Sequence, residues 1–393
     1  MVAPASRIAL FEFGFRPFFL LAALYAALTV PVWLLLMTGA IGLPTSLSAM
    51  QWHGHEMVFG FALAGITGFY LTAVPNWTGA APVRGARLAL LAALWLAGRI
   101  AMWCSAALPA PVVAAAELAL LPVLAAFVLP ALVAAKQPRN LIFLVIPLAL
   151  ETAILLVHLE PLELADDTAW TGLQLGIDLA LLLITVIGGR IVPTFTANAL
   201  KAHGETRLPR SAPLLDRLAI LAMLAVLVAD LADRAPWIGF AALAAALLNA
   251  ARLGGWRTIR TLDTPLLWVL HLGYGWLVAG LALKAAAGLT DLVPASAALH
   301  ALTVGAVGTM MLAVMSRATL GHTGRPLVAH PVVVAAYGLV SLAALLRICA
   351  AVSPAHYLPL IATSGVLWTL AFALFLSIYA PILVGPRIDG KPG

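Results

Sequence analysis

The chain has 393 residues, 63% of them hydrophobic and only 10% charged, with a formal net charge of +6. Ordinary soluble domains are about 45–50% apolar and about 25% charged, so a water-soluble fold is excluded. The positive charge sits in short loops between apolar runs, where it marks membrane orientation and not nucleic-acid binding.

The apolar runs are long, continuous and without alternation. In lipid every backbone polar group must be paired within the chain, so such runs predict helices. A span takes roughly 20 mainly apolar residues. Twelve spans fall near 17–39, 52–75, 86–107, 112–135, 139–158, 169–193, 213–232, 236–254, 264–288, 293–318, 329–351 and 356–385. The expected fold is an all-α polytopic membrane protein with about twelve transmembrane helices, a single integral membrane domain over residues 1–393. The first run is too long for a cleavable signal peptide and lacks a small-residue cleavage site.

Orientation follows from the Lys and Arg of the short loops. Arg7 and Arg16 precede the first span, Arg84 and Arg87 follow the second, and Lys136 with Arg139 follow the fourth. Lys201, Arg207 and Arg210 follow the sixth; Arg252, Arg257 and Arg260 follow the eighth. Arg317 and Arg325 follow the tenth, and Arg387 with Lys391 end the chain. The opposite loops are poor in positive charge or acidic, as at Glu160, Glu163, Asp166 and Asp167, with Arg234 an exception. Both termini are therefore expected in the cytoplasm, with the protein in the inner membrane.

A polar group inside lipid is costly, so an intramembrane ionisable residue is a functional candidate by default. His53 and His55 open span two in Trp52-His-Gly-His-Glu56-Met57. Two positions apart, they face roughly opposite ways on a regular helix and cannot share one ion. Imidazole is a common metal ligand and an axial ligand for haem iron, against which stands an interfacial hydrogen-bonded pair. His300 lies about two turns into span ten, in the same leaflet as His53 and His55, and is a ligand candidate on that ground. His271, in span nine, is explained equally well by a hydrogen bond to a backbone carbonyl, and His322 follows span ten. His158, His203, His330 and His356, at span ends or in loops, are expected to be solvated. Arg99, Glu151, Asp178 and Arg190 are charges within spans; they should form ion pairs or reach water, and Glu56, Glu151 and Asp178 are candidates to relay protons. Cys104 and Cys349 suit two small buried residues, a disulfide or a copper thiolate.

The cytoplasmic ends of spans two and six share small-Val-Pro-x-aromatic-Thr, in Ala73-Val-Pro75-Asn-Trp77-Thr78 and Ile191-Val-Pro193-Thr-Phe195-Thr196. Span ten ends in a degraded copy at Ala313-Val-Met-Ser-Arg317-Ala-Thr319. These helices are also the glycine-rich ones, through Gly60, Gly65, Gly68, Gly172, Gly176, Gly188, Gly189, Gly305 and Gly308. Glycine lets helices approach each other or a flat ligand, and both readings stay open. Three four-helix units, 17–135, 139–254 and 264–385, would then stand in a pseudo-threefold arrangement.

Phe13-Gly-Phe-Arg16-Pro17-Phe18-Phe19-Leu20 resembles the opening of the NnrS family. Four further segments match its pattern: Trp52 to Phe61, Thr72 to Gly79, Gly188 to Asn198, and His300 to Gly308 continuing through Ser316 to Arg325. The resemblance implies a bacterial membrane protein holding haem b and copper, tied to nitric oxide metabolism and resistance to nitrosative stress. Its partners would be nitric oxide, membrane lipid and an electron donor that the sequence does not identify. The residues inside the matching strings are His53, His55, Glu56, Arg190, His300 and His322. On this reading His53 and His300 hold the haem, with Arg190 a further cofactor contact, and His53, His55, His271 and His322 are the copper candidates. A fainter likeness to haem–copper oxidases and nitric oxide reductases also puts haem ligands on spans two and ten. The chain departs from them in lacking a histidine in span six and a His-His pair in span seven, so no oxidase-type binuclear centre is expected. The competing class is a secondary transporter exporting a metal or iron–nitrosyl species, since repeats and broken helices also mark transporters.

Overall fold

The structure, a computed structural model, describes residues 8–136, 142–210 and 212–391. Arg7 and Arg139, used above for orientation, lie outside the described residues. The described residues form twelve long helices and no strand. They are α1 (Phe15–Met37), α2 (Ala49–Thr78), α3 (Ala86–Trp103), α4 (Ala110–Ala134), α5 (Ile142–Leu159) and α6 (Ala169–Ala202). α7 (Pro213–Leu231), α8 (Ala235–Gly254), α9 (Pro265–Leu289), α10 (Ala295–His322), α11 (Pro331–Val352) and α12 (Tyr357–Val384) complete the order. Ten of them, all but α5 and α7, are long and apolar enough to cross a membrane. α7 carries Asp216, Arg217 and Asp230, which dilute its apolar character. The multi-pass all-α architecture expected from the sequence is the one observed.

Local chemistry sets the helix ends. Ser48 caps α2, accepting from the Gln51 amide while the Gln51 side chain accepts from the Ser48 amide, a reciprocal capping box. Proline stands in the first turn of α7, α8, α9 and α11, where its missing N–H costs nothing. Gly79 ends α2 at φ +73°, the left-handed closure that glycine adopts without a Cβ penalty.

Three helices are broken by π-helical stretches: Glu56–Ala62 in α2, Ile184–Gly188 in α6 and Ala301–Gly308 in α10. These are the three spans that share motifs and glycines in the sequence. Such bulges are rare and frequently mark functional sites. The glycines beside them are filled by the protein's own side chains, so here close packing, and not a slot for a flat ligand, accounts for them. A Cβ on Gly60 would enter the Tyr25 ring, one on Gly305 would stand 2.7 Å from the Trp276 ring, and one on Gly308 would meet Trp368.

The chain divides into two compact units. The first runs through Gly176 and adds Ala318–Pro326 and the stretch from Phe375; the second is Ile177–Arg317 with Leu327–Leu374. This division differs from the stretches 17–135, 139–254 and 264–385 drawn from the sequence. In the first unit α1 packs along α2, and α4 packs against α3 and α5. In the second α8 packs against α7 and α9, while α9 and α11 pack on the π stretch of α10.

Three helices, α3 to α5, separate the turn after Gly79 from the loop at Asp167 (φ +56°). Three crossings, the number the sequence reading assigns to this stretch, would put the two on opposite sides. Reporter fusions after Gly79 and after Asp167 are expected to report opposite compartments, with Gly79 cytoplasmic. The same compartment for both would contradict the span count.

Candidate functional site

Five helices of the first unit send polar side chains to one buried point. His55 and Glu56 come from the junction where α2 turns from α to π geometry. Tyr25 comes from α1, Arg99 and Trp103 from α3, Glu117 from α4 and His158 from α5. The Arg99 guanidinium donates to Glu56 Oε1 at 2.9 Å and, through its other Nη, to Glu117 Oε1. His55 Nδ1 lies 2.7 Å from Glu56 Oε1, and His158 Nε2 lies 2.8 Å from Glu117 Oε2. His55 Nε2 is 3.1 Å from that same Glu117 oxygen, close but without hydrogen-bond geometry. Tyr25 donates its hydroxyl to Glu56 Oε2, and Trp103 Nε1 donates to Tyr25 Oη at 2.7 Å. Trp95 Nε1 donates to the carbonyl of Gly60, inside the π stretch, at 3.1 Å.

His55 and Glu56 are fully buried, and Arg99, Glu117 and His158 are no more than 4% exposed. Charges so placed must be paired, because removing one partner leaves an uncompensated charge in a low-dielectric medium. Two carboxylates and one guanidinium leave one negative charge in excess when both imidazoles are neutral. A single proton on either imidazole brings the cluster to zero. The arrangement can hold one proton among groups in contact.

The model of the NnrS family, described as NnrS protein, matches residues 9–387, nearly the whole chain. The chain belongs to the NnrS family. It is thereby a membrane protein related to nitric oxide. No match was found among curated proteins.

The remaining candidates of this NnrS-family chain are dispersed. His53 is half-buried and stacked on Trp33, with ring centroids 4.1 Å apart and planes 22° apart. It thus faces away from the carboxylates that hold His55, as two-residue spacing requires. His300, in the second unit, is buried; its Nδ1 lies 2.7 Å from the Ser296 carbonyl, and the π stretch of α10 begins at the next residue. His322 is half-buried against the rings of Phe13 and Phe15, and its carbonyl accepts from Arg387 at 2.7 Å. Outside the membrane, Arg387 also pairs with Asp389 and holds that carboxyl well below the usual carboxylate range. Asp178 is buried in the second unit, and Glu151 is half-buried, its Oε2 without a partner among the described residues.

Several expectations need correction. His158, expected to be solvated, is a buried member of the ion-pair network. His271 has both ring nitrogens engaged, by Thr196 Oγ1 and Thr258 Oγ1, each at 2.9 Å, and so pins a loop instead of presenting a ligand atom. His55 likewise has a carboxylate against each nitrogen. Among the described residues no three His, Cys, Asp or Glu side chains are arranged to hold a metal ion. The copper candidates His53, His55, His271 and His322 therefore do not fit a common site, and no step is routed through copper. Cys104 and Cys349 are both free thiols.

Arg190 is also corrected: it is exposed, not buried beside Gly188 and Gly189. The guanidinium that occupies that position is Arg252, expected from the sequence to lie in a loop. Arg252 donates to Asp216 Oδ1 at 2.8 Å, to Tyr274 Oη at 2.6 Å and to the Thr185 carbonyl at 3.0 Å, within the π stretch of α6. A Cβ at Gly189 would overlap this guanidinium. Gly189→Ala is expected to cost about 1–3 kcal/mol, the range for overpacking a filled site. Gly254, where a Cβ would meet nothing within 4 Å, is the control. Thermal unfolding should show a lowered midpoint for Gly189→Ala and none for Gly254→Ala.

Proposed function

We propose that this NnrS-family protein holds a haem, binds nitric oxide there and protects against nitrosative stress by reducing it. The observation that carries the reading is the state of His300. A backbone carbonyl only accepts, so the contact with Ser296 puts the proton on Nδ1 and leaves the Nε2 lone pair of the neutral ring outward. An imidazole oriented through Nδ1 in this way is the usual form of a metal-ligating histidine. The adjoining π stretch changes the helical phase just where such a ligand would need support.

His300 fits the role of a haem ligand and would hold the iron. The haem supplies an iron that binds nitric oxide. Nitric oxide is small and apolar and enters from the lipid. Reduction of two molecules to nitrous oxide and water consumes two electrons, from an external donor, and two protons. The His55–Glu56–Arg99–Glu117–His158 network is the buried store of exchangeable protons in the first unit. The inner membrane with both termini cytoplasmic is the setting this reading requires.

Absorbance of the purified protein tests it. A Soret band with stoichiometric haem is expected. A colourless protein would favour the secondary transporter, to which the interrupted α2, α6 and α10 are also suited.

A further inference from the structure

Most threonines in these helices donate to the carbonyl one turn back, and Ser364 donates to the Ala343 carbonyl of the neighbouring helix. Thr72 bonds Gly68, Thr185 bonds Leu181, Thr196 bonds Val192 and Thr303 bonds Leu299. α10 breaks this habit three times in succession. Thr309, Ser316 and Thr319 are each 0% exposed, and the hydroxyl of each has no hydrogen-bond partner among the described residues. Elsewhere Thr67 and Thr369 are so left, one to a helix.

At about 100° per residue the three hydroxyls share an arc of roughly 80° on one face of α10. They extend over roughly 15 Å, from the end of the π stretch to the last turn before His322. A buried hydroxyl without a partner is costly, and in native structures such groups mark bound water. A hydroxyl locked to its own helix has spent its donor. A free one both accepts and donates, which is what passing a proton along a chain of water requires.

We propose that this face of α10 lines a file of water, open to bulk at the basic end near Arg317 and Arg325 and reaching inward to the π stretch. Its use, supplying protons from that side, rests on the nitric oxide chemistry proposed above; the file itself does not.

Radiolytic hydroxyl-radical footprinting of the full chain in nanodiscs tests it, because side chains beside ordered water are oxidised in place. Met310 (5% exposed) and Met315 (0%) are the sequence neighbours of Thr309 and Ser316, on the flanks of this face, while Met223 (2%) lies on α7, which has no serine or threonine. Met310 and Met315 should oxidise several-fold faster than Met223. Mixing into heavy-oxygen water before the pulse should put the label into their sulfoxides. In Thr309→Val/Ser316→Ala, which keeps the helix volume, both rates should fall to that of Met223. Wild-type rates equal to that of Met223 would overturn the file, and oxidation without heavy oxygen would overturn its opening to bulk. Loss of nitric oxide binding, with these rates intact, would count against the proposed function alone.

Discussion

Arg99→Met should destabilise the protein by about 3–5 kcal/mol, the range for removing one partner of a buried ion pair. Among the described residues Arg99 is the one guanidinium that contacts both Glu56 and Glu117, and each of those carboxylates is buried. Without it two negative charges face each other with only imidazoles, a hydroxyl and an indole between. Glu117→Gln should cost less, because the amide oxygen still accepts from Arg99 and the amide NH2 can donate to the neutral His158 ring. The double variant Arg99→Met/Glu117→Gln should recover part of the loss, since it removes a charge of each sign. Groups in one network commonly couple by about 0.5–3 kcal/mol. Unfolding of the purified variants measures all three. A loss for Arg99→Met within about 0.5 kcal/mol, as at an unremarkable surface position, would mean that the cluster reaches water.

His300→Ala should release most of the haem or leave it high-spin, with the fold intact. Only the outward Nε2 is lost, and the space it leaves is one imidazole in a helix already loosened by its π stretch. His55→Ala should differ in kind: haem content near wild type, but lower stability, because the ring bridges Glu56 and Glu117. Haem content and the visible spectrum, measured beside unfolding midpoints, separate the two behaviours. Wild-type haem content in His300→Ala would refute the assignment.

The helices were legible because lipid leaves few choices for a continuous apolar run, and the spans drawn from sequence correspond one to one with α1–α12. The three helices with π stretches were legible indirectly, through their shared glycines and prolines. The ion-pair network was only half legible. His55, Glu56 and Arg99 stand out as polar residues in apolar surroundings, but nothing in their spacing says that they meet. Glu117 was overlooked within a run of alanine and leucine, although a lone carboxylate in an apolar span is itself the signal. His158 misled because it stands at a helix end two residues from Glu160, where solvation is the ordinary outcome. Arg190 and Arg252 exchanged roles for a geometric reason: which guanidinium fills the gap at Gly189 depends on how α6 and α8 pack, and helical phase alone does not give that. The hydroxyls of α10 were invisible, because serine and threonine in a span are unremarkable until their hydrogen bonds are counted.

Anaerobic titration of the purified, reduced protein with nitric oxide reads directly whether nitric oxide binds at a haem held by this chain. A saturable shift of the Soret band with one equivalent per haem is expected, absent from His300→Ala. A haem-loaded protein whose spectrum does not change with nitric oxide would contradict it.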